Sequence, residues 1–94
     1  MKRYTDTISG EELYVTFEWG SQIYYKDKEM TIFHRHDGPA IEHVDGGKEW
    51  CVDNKSHRLD GPAAEYADGD KDWWVDGVFI MKINKEGKIK GRME

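Results

Sequence analysis

From Leu13 to Trp19 apolar and polar positions alternate, with Leu13, Val15, Phe17 and Trp19 on one side and Tyr14, Thr16 and Glu18 on the other. A period of two sends successive side chains to opposite faces, so this stretch predicts a half-buried β-strand. Gly20-Ser21 predicts a turn, Gln22 to Lys26 a returning strand around Tyr24 and Tyr25, and Met30 to His34 a further strand. Later runs at Ala40 to Val44, Lys48 to Val52, Ala63 to Ala67 and Lys71 to Val75 are short and bounded by turn residues, which suits strands rather than helices. No segment sustains a helical period. Ile80 to Asn84 and Lys88 to Lys90, joined by Lys85-Glu86-Gly87, read either as a closing hairpin or as a frayed basic tail.

The runs recur because the chain is duplicated. His34 to Ser56, HRHDGPAIEHVDGGKEWCVDNKS, is followed at once by His57 to Phe79, HRLDGPAAEYADGDKDWWVDGVF, and the two agree at 13 of 23 positions. A fixed period of this length marks a repeat architecture, in which one small unit buries its apolar face only by stacking on copies of itself. An aromatic-x-x-Asp element at Tyr24 to Asp27, Trp50 to Asp53 and Trp73 to Asp76 extends the count to about three units. The expected fold is all-β: a single antiparallel meander of stacked hairpin repeats in one domain. Residues 1–33 form a cap and degenerate repeat, with Leu13 to Trp19 as capping strand, 34–56 and 57–79 form the full repeats, and 80–94 the C-terminal hairpin or tail.

Turn chemistry supports this division. Asp37-Gly38-Pro39 and Asp60-Gly61-Pro62 mark one turn, Asp45-Gly46-Gly47 and Asp68-Gly69-Asp70 another, Asp53-Asn54 and Asp76-Gly77 a third. Asp bonds nearby backbone N–H groups and Gly accepts positive φ. For the hairpin around Asp68, one register sets Glu65 opposite Asp72 and a second sets Tyr66 opposite Trp73. The second is preferred, because it replaces a like-charge pair with an aromatic one. By alternation Trp50 and Trp73 share a face and are expected to stack as a spine, with Tyr24 as a third member.

Composition narrows the classes. In 94 residues, 37% apolar and 35% charged, a single small core must rest on four Trp, five Tyr and three Phe. One cysteine permits neither an internal disulfide nor a cysteine zinc cluster. The start lacks the apolar core of a signal peptide and no run is long enough to span a membrane, so a cytoplasmic protein is expected. Net charge is −5, but Lys82, Lys85, Lys88, Lys90 and Arg92 against Glu86 and Glu94 leave the last 13 residues at +3 and the body at −8. Such a body repels nucleic acid and anionic membranes and attracts basic surfaces.

His34, His36, Asp37, His57 and Asp60 invite a metal or acid–base reading, but most recur with the repeat, which assigns them to local structure. The same holds for Glu42 and Glu65, expected to form ion pairs with Arg35 and Arg58 between units. No metal, cofactor or catalytic residue is assigned. Function is sought where the copies disagree, at His36 against Leu59, His43 against Tyr66 and Cys51 against Trp74, and in the two ends that match no repeat. With Trp50 and Trp73 facing inward, Trp74 and Tyr25 face outward. Together with Asp70, Asp72, Asp76, His36 and His43 they make the expected binding residues; the competing reading covers Trp74 with Phe79 to Met81.

The grammar aromatic-x-x-Asp-Gly/Asn, then His-Arg-x-Asp-Gly-Pro-Ala, then Asp-Gly, resembles variant forms of the MORN repeat. It is most similar to the HRxDGPA type of small phage and bacterial proteins, with Arg35 and Arg58 in the place of a glycine of the ordinary pattern. The resemblance implies a meander of stacked hairpins and a scaffold or binding role. The expected function is a non-catalytic protein-binding module, a phage-type inhibitor of a host nucleic-acid-processing or defence enzyme. Asp45, Asp53, Asp68, Asp70, Asp72 and Asp76 would occupy that enzyme's basic groove. Two other expectations are a self-assembling scaffold that forms homo-oligomers and, last, a metal-dependent hydrolase.

Overall fold

The computed structural model describes residues 2–92, so Met93 and Glu94 at the end of the expected tail lie outside the described residues. The strands are β1 (Lys2–Thr5), β2 (Glu12–Glu18), β3 (Ser21–Tyr25), β4 (Ile41–Glu42), β5 (Lys48–Glu49) and β6 (Cys51–Val52). They continue with β7 (Lys55–Ser56), β8 (Ala64–Glu65), β9 (Lys71–Val75), β10 (Val78–Ile83) and β11 (Ile89–Arg92). All but β6 and β7 join one nine-stranded sheet in chain order, and each neighbouring pair is antiparallel. The fold is therefore an all-β meander of hairpins. β6 and β7 form a separate small hairpin.

Turn residues explain the geometry. Trp19-Gly20, Asp53-Asn54 and Asp76-Gly77 each pair two positive φ values, the type I′ turn that matches strand twist. The β4–β5, β8–β9 and β10–β11 turns place Gly46, Gly69 and Gly87 at φ between 83° and 99°. In each, the glycine N–H donates to the carbonyl three residues back, at His43, Tyr66 and Asn84. This is a three-residue loop ending in a glycine bulge. It gives a register outside both expected ones, with Glu65 opposite Lys71 and Ala64 opposite Asp72. The gain is electrostatic: Glu42, Lys48, Glu65 and Lys71 alternate in sign across four strands.

Other expectations change. A strand from Met30 to His34 is not formed; the Asp27 carboxylate accepts from the Thr31 and Ile32 N–H groups at 2.9 Å each, and only Phe33 bridges to Tyr25. Leu13 to Trp19 is not the outermost strand, since β1 pairs along it as far as Val15. Leu13 and Val15 are buried with Tyr24 and flanked by Tyr4, whereas Phe17 is 64% and Trp19 97% exposed. The turn is Trp19-Gly20, one residue earlier than expected. The C-terminal segment forms the hairpin β10–β11 rather than a frayed tail.

Candidate functional site

The repeated motif closes a clip on itself. Arg35 Nε donates to Asp37 at 2.6 Å and Nη1 to the Pro39 carbonyl at 3.2 Å, with Glu42 at 3.6 Å. Arg58 repeats this with Asp60 at 3.0 Å, Pro62 at 3.0 Å and Glu65 at 3.2 Å. The ion pairs thus lie within units, not between them as expected. Each guanidinium also covers a ring: Arg35 lies 4.1 Å from the Tyr24 centroid and Arg58 3.9 Å from that of Trp50. A partly desolvated cation on an aromatic face is worth up to about 2 kcal/mol. Space for it comes from Gly38 and Gly61, where a Cβ would sit 2.8 Å from the arginine Cζ. These two glycines serve close approach rather than positive φ.

The expected tryptophan spine is replaced by these arginine–ring pairs. Trp50 follows β5 and Trp73 lies in β9, with β8 between them in the sheet. Strands two apart are separated by roughly 9–10 Å, beyond ring-stacking distance. Arg58 covers Trp50 and Arg35 covers Tyr24 instead.

The repeated histidines are backbone acceptors. The Asp53 N–H donates to His34 Nδ1 at 3.0 Å, and the Asp76 N–H donates to His57 Nδ1 at 3.0 Å. Both amides belong to residues that open type I′ turns, so aromatic-x-x-Asp and His-Arg are two halves of one contact. An Nδ1 that accepts leaves the proton of the neutral ring on Nε2. His34 Nε2–H then donates to Glu11 Oε1 at 2.9 Å, a bond that holds the Glu11 carboxyl below its ordinary range.

Glu11, His34 and His36 are also the group of three among the described residues whose ligand atoms lie within 4.8 Å of one another. Geometry alone would suit a small divalent cation. The tautomer does not: His34 Nε2 carries a proton, and Nδ1 is taken by an amide. Asp37 is occupied as well. Burial favours its protonated form, but the Thr7 N–H, the Tyr4 hydroxyl, Arg35 and the Thr7 hydroxyl outweigh burial and hold its pKa well below the ordinary 3.8.

The expected binding residues are not brought together. Tyr25 is buried and stacks on Phe33 at 5.4 Å, which removes it from any outward surface. Trp74 is half-buried, edge-on to Phe79 at 5.4 Å, as the competing reading had it. Asp72 is buried and accepts from the Tyr66 hydroxyl at 2.8 Å; burial first, and then this bond, push the Tyr66 pKa up to about 12. Asp70 accepts from the Lys85 N–H at the same end of the strands, whereas Asp76 is exposed at the other. His36 and His43 likewise lie at opposite ends. His43 pairs with Glu49 at 2.5 Å, the counterpart of Tyr66 with Asp72, so this disagreement between copies conserves a contact. Among the acidic residues expected to act together, Asp45, Asp68 and Asp70 sit at one end, Asp53 and Asp76 at the other, and Asp72 inside.

Two sites emerge that the sequence reading missed. The first is aromatic. Trp19 stands at a hairpin tip beside Val44, 71% exposed, which packs against Gly20, while an open groove of about 570 Å³ runs along Val15, Thr16, Phe17, Glu18 and Met30. Glu18 and Lys2 bring opposite charges to the groove. Trp-Gly directly after an alternating run was the available signal, since its glycine fits a type I′ turn. The second is a cleft of about 450 Å³ between the two HRxDGP loops, lined by Ile8, Arg35, His36, Trp50, His57 and Leu59 among others.

The fold and these sites define a small antiparallel hairpin-repeat protein whose repeated polar residues are committed to its own turns. The chain matches no family model, no curated protein and no solved structure.

Proposed function

We propose that the chain is a non-catalytic protein-binding module that inhibits a nucleic-acid-processing or defence enzyme by docking on a basic surface of it. The observation that carries this reading is Trp19, its indole 97% exposed at a positive-φ position where a tryptophan is locally unfavourable. An exposed aromatic held at a conformational cost suits a binding anchor. Phe17 and Val44 add exposed apolar area, and the net charge of −5 is what steers a basic partner. The resemblance to phage-type HRxDGPA repeats is the reason for naming an enzyme inhibitor.

Self-assembly through sheet edges is disfavoured by those edges. β1 carries Lys2 and Arg3, and β11 carries Lys90 and Arg92, so edge-to-edge pairing of two copies sets like charges together.

The test is affinity capture from the native host cell at low and high salt, with wild type beside Trp19→Asn and Trp74→Ala. A partner held by wild type at low salt, released at high salt, lost with Trp19→Asn and kept with Trp74→Ala supports the reading. Equal capture by Trp19→Asn, or no nucleic-acid-processing partner at low salt, removes it.

A further inference from the structure

The two HRxDGP loops have the same sequence grammar but not the same neighbours. The first is docked by the N-terminal turn, residues 6–11. Asp6 Oδ2 accepts from the N–H groups of His36 at 2.6 Å and Asp37 at 3.2 Å, while its Oδ1 accepts from Ile8 and Ser9 within its own turn. Glu11 accepts from His34 Nε2–H at 2.9 Å. Two carboxylates five residues apart thus satisfy the three donors that the loop presents. Asp6 itself is 1% exposed and His34 2%, so this contact is closed to water.

The second loop presents the same three donors at Leu59 N–H, Asp60 N–H and His57 Nε2–H, one period of 23 further on. His57 has the same tautomer, fixed by the Asp76 N–H. Among the described residues, none of the three has an acceptor. In place of an acidic turn there is the cleft of about 450 Å³, a size that takes a small ligand or a few residues of a peptide. Its mouth is apolar, with Leu59 80% and Ile8 73% exposed. Arg35 and Arg58 stand in the wall, each paired with an aspartate, and Asp60 points outward with its side chain 87% exposed.

We infer that the second loop is a receptor for an acidic turn of a partner protein, which takes there the place that Asp6 and Glu11 take on the first. One carboxylate accepts from the Leu59 and Asp60 amides, and the second, five residues on, from His57 Nε2–H. Apolar side chains between them cover Leu59 and Ile8. The site is separate from the Trp19 surface and lies at the other end of the strands, so the two stand or fall independently.

The experiment titrates the full chain, 15N-labelled, with a synthetic peptide of the sequence Tyr4 to Tyr14, followed by amide and imidazole NMR. Saturable shifts at Leu59, Asp60 and His57 are expected, weakened at least about tenfold in affinity when the peptide carries Asn in place of Asp6 and Gln in place of Glu11 with Glu12 kept, the scale of a charged hydrogen bond. Leu59→Glu, at an exposed position, should weaken binding by a similar factor with an unchanged melting temperature. His57→Gln gives the third arm, with its melting curve as the folding control. The inference is overturned if millimolar peptide produces no shifts, if the shifts map elsewhere, or if the amidated peptide binds equally well.

Discussion

Replacing Trp19 with asparagine should stabilise the protein, although it deletes a tryptophan. Trp19 opens the β2–β3 turn at φ 52°, followed by Gly20 at 85°. A side chain in the left-handed region costs about 1–2 kcal/mol for most residues, whereas Asn-Gly is the preferred type I′ pair. Against this, so little of the indole is covered that its lost burial amounts to about 0.2 kcal/mol. The balance favours the variant by about 1 kcal/mol, which for a domain of this size raises the melting temperature by about 4–8 °C. Urea unfolding followed by far-UV circular dichroism gives the free energy, and a thermal scan the midpoint. An unchanged or lowered midpoint would mean that the indole is packed or the turn unstrained. The same variant separates fold from function, since its loss of binding cannot then be attributed to loss of structure.

Arg35→Ala should cost about 2–3 kcal/mol and Arg58→Ala about 1–2 kcal/mol in urea unfolding, the order following the deeper burial of Arg35 and its second ring, Tyr4. Gly61→Ala should destabilise by about 1–3 kcal/mol although its φ is ordinary, and this cost should largely vanish in an Arg58→Ala background, where the added Cβ meets no guanidinium. Because the folded-state pKa of Asp37 lies below its unfolded value, its stabilisation is complete above about pH 4 and is lost as pH falls towards the folded value. Asp37→Asn should therefore flatten the acid limb of the stability curve below pH 4. Burial pushes the Cys51 thiol up to about 11, so native protein should resist a thiol reagent at neutral pH and react only on unfolding.

Much of the fold was legible because turn residues and the repeat agree. Asp-Gly and Asp-Asn positions fix most of the hairpins, and the short runs between them leave no alternative to strands. What escaped depends on contacts between distant residues. The β8–β9 register turned on one extra loop residue at Gly69, which shifts every pair without altering the alternation. Alternation from Leu13 to Trp19 also continues past the last buried position, since hydrophobic pattern records which side chains share a face and not how far a neighbour covers them. Comparing the copies identified His43 and His36 as suspects, yet His43 keeps the contact that Tyr66 makes. The unmatched N-terminal end holds the informative difference, but nothing in its sequence singles out Asp6 and Glu11, which dock on one copy and not the other.

The contacts assign the duplicated His-Arg-x-Asp-Gly-Pro motif to folding the chain. Long-range 1H–15N correlation spectra of the imidazole rings, recorded at mildly alkaline pH with and without added zinc, test it most directly. His34 and His57 should both appear as the tautomer with the proton on Nε2, Nδ1 accepting from the Asp53 and Asp76 amides, and neither should change when zinc is added. A proton on Nδ1 of either ring, or a zinc-induced shift at His34, would rule out this structural role.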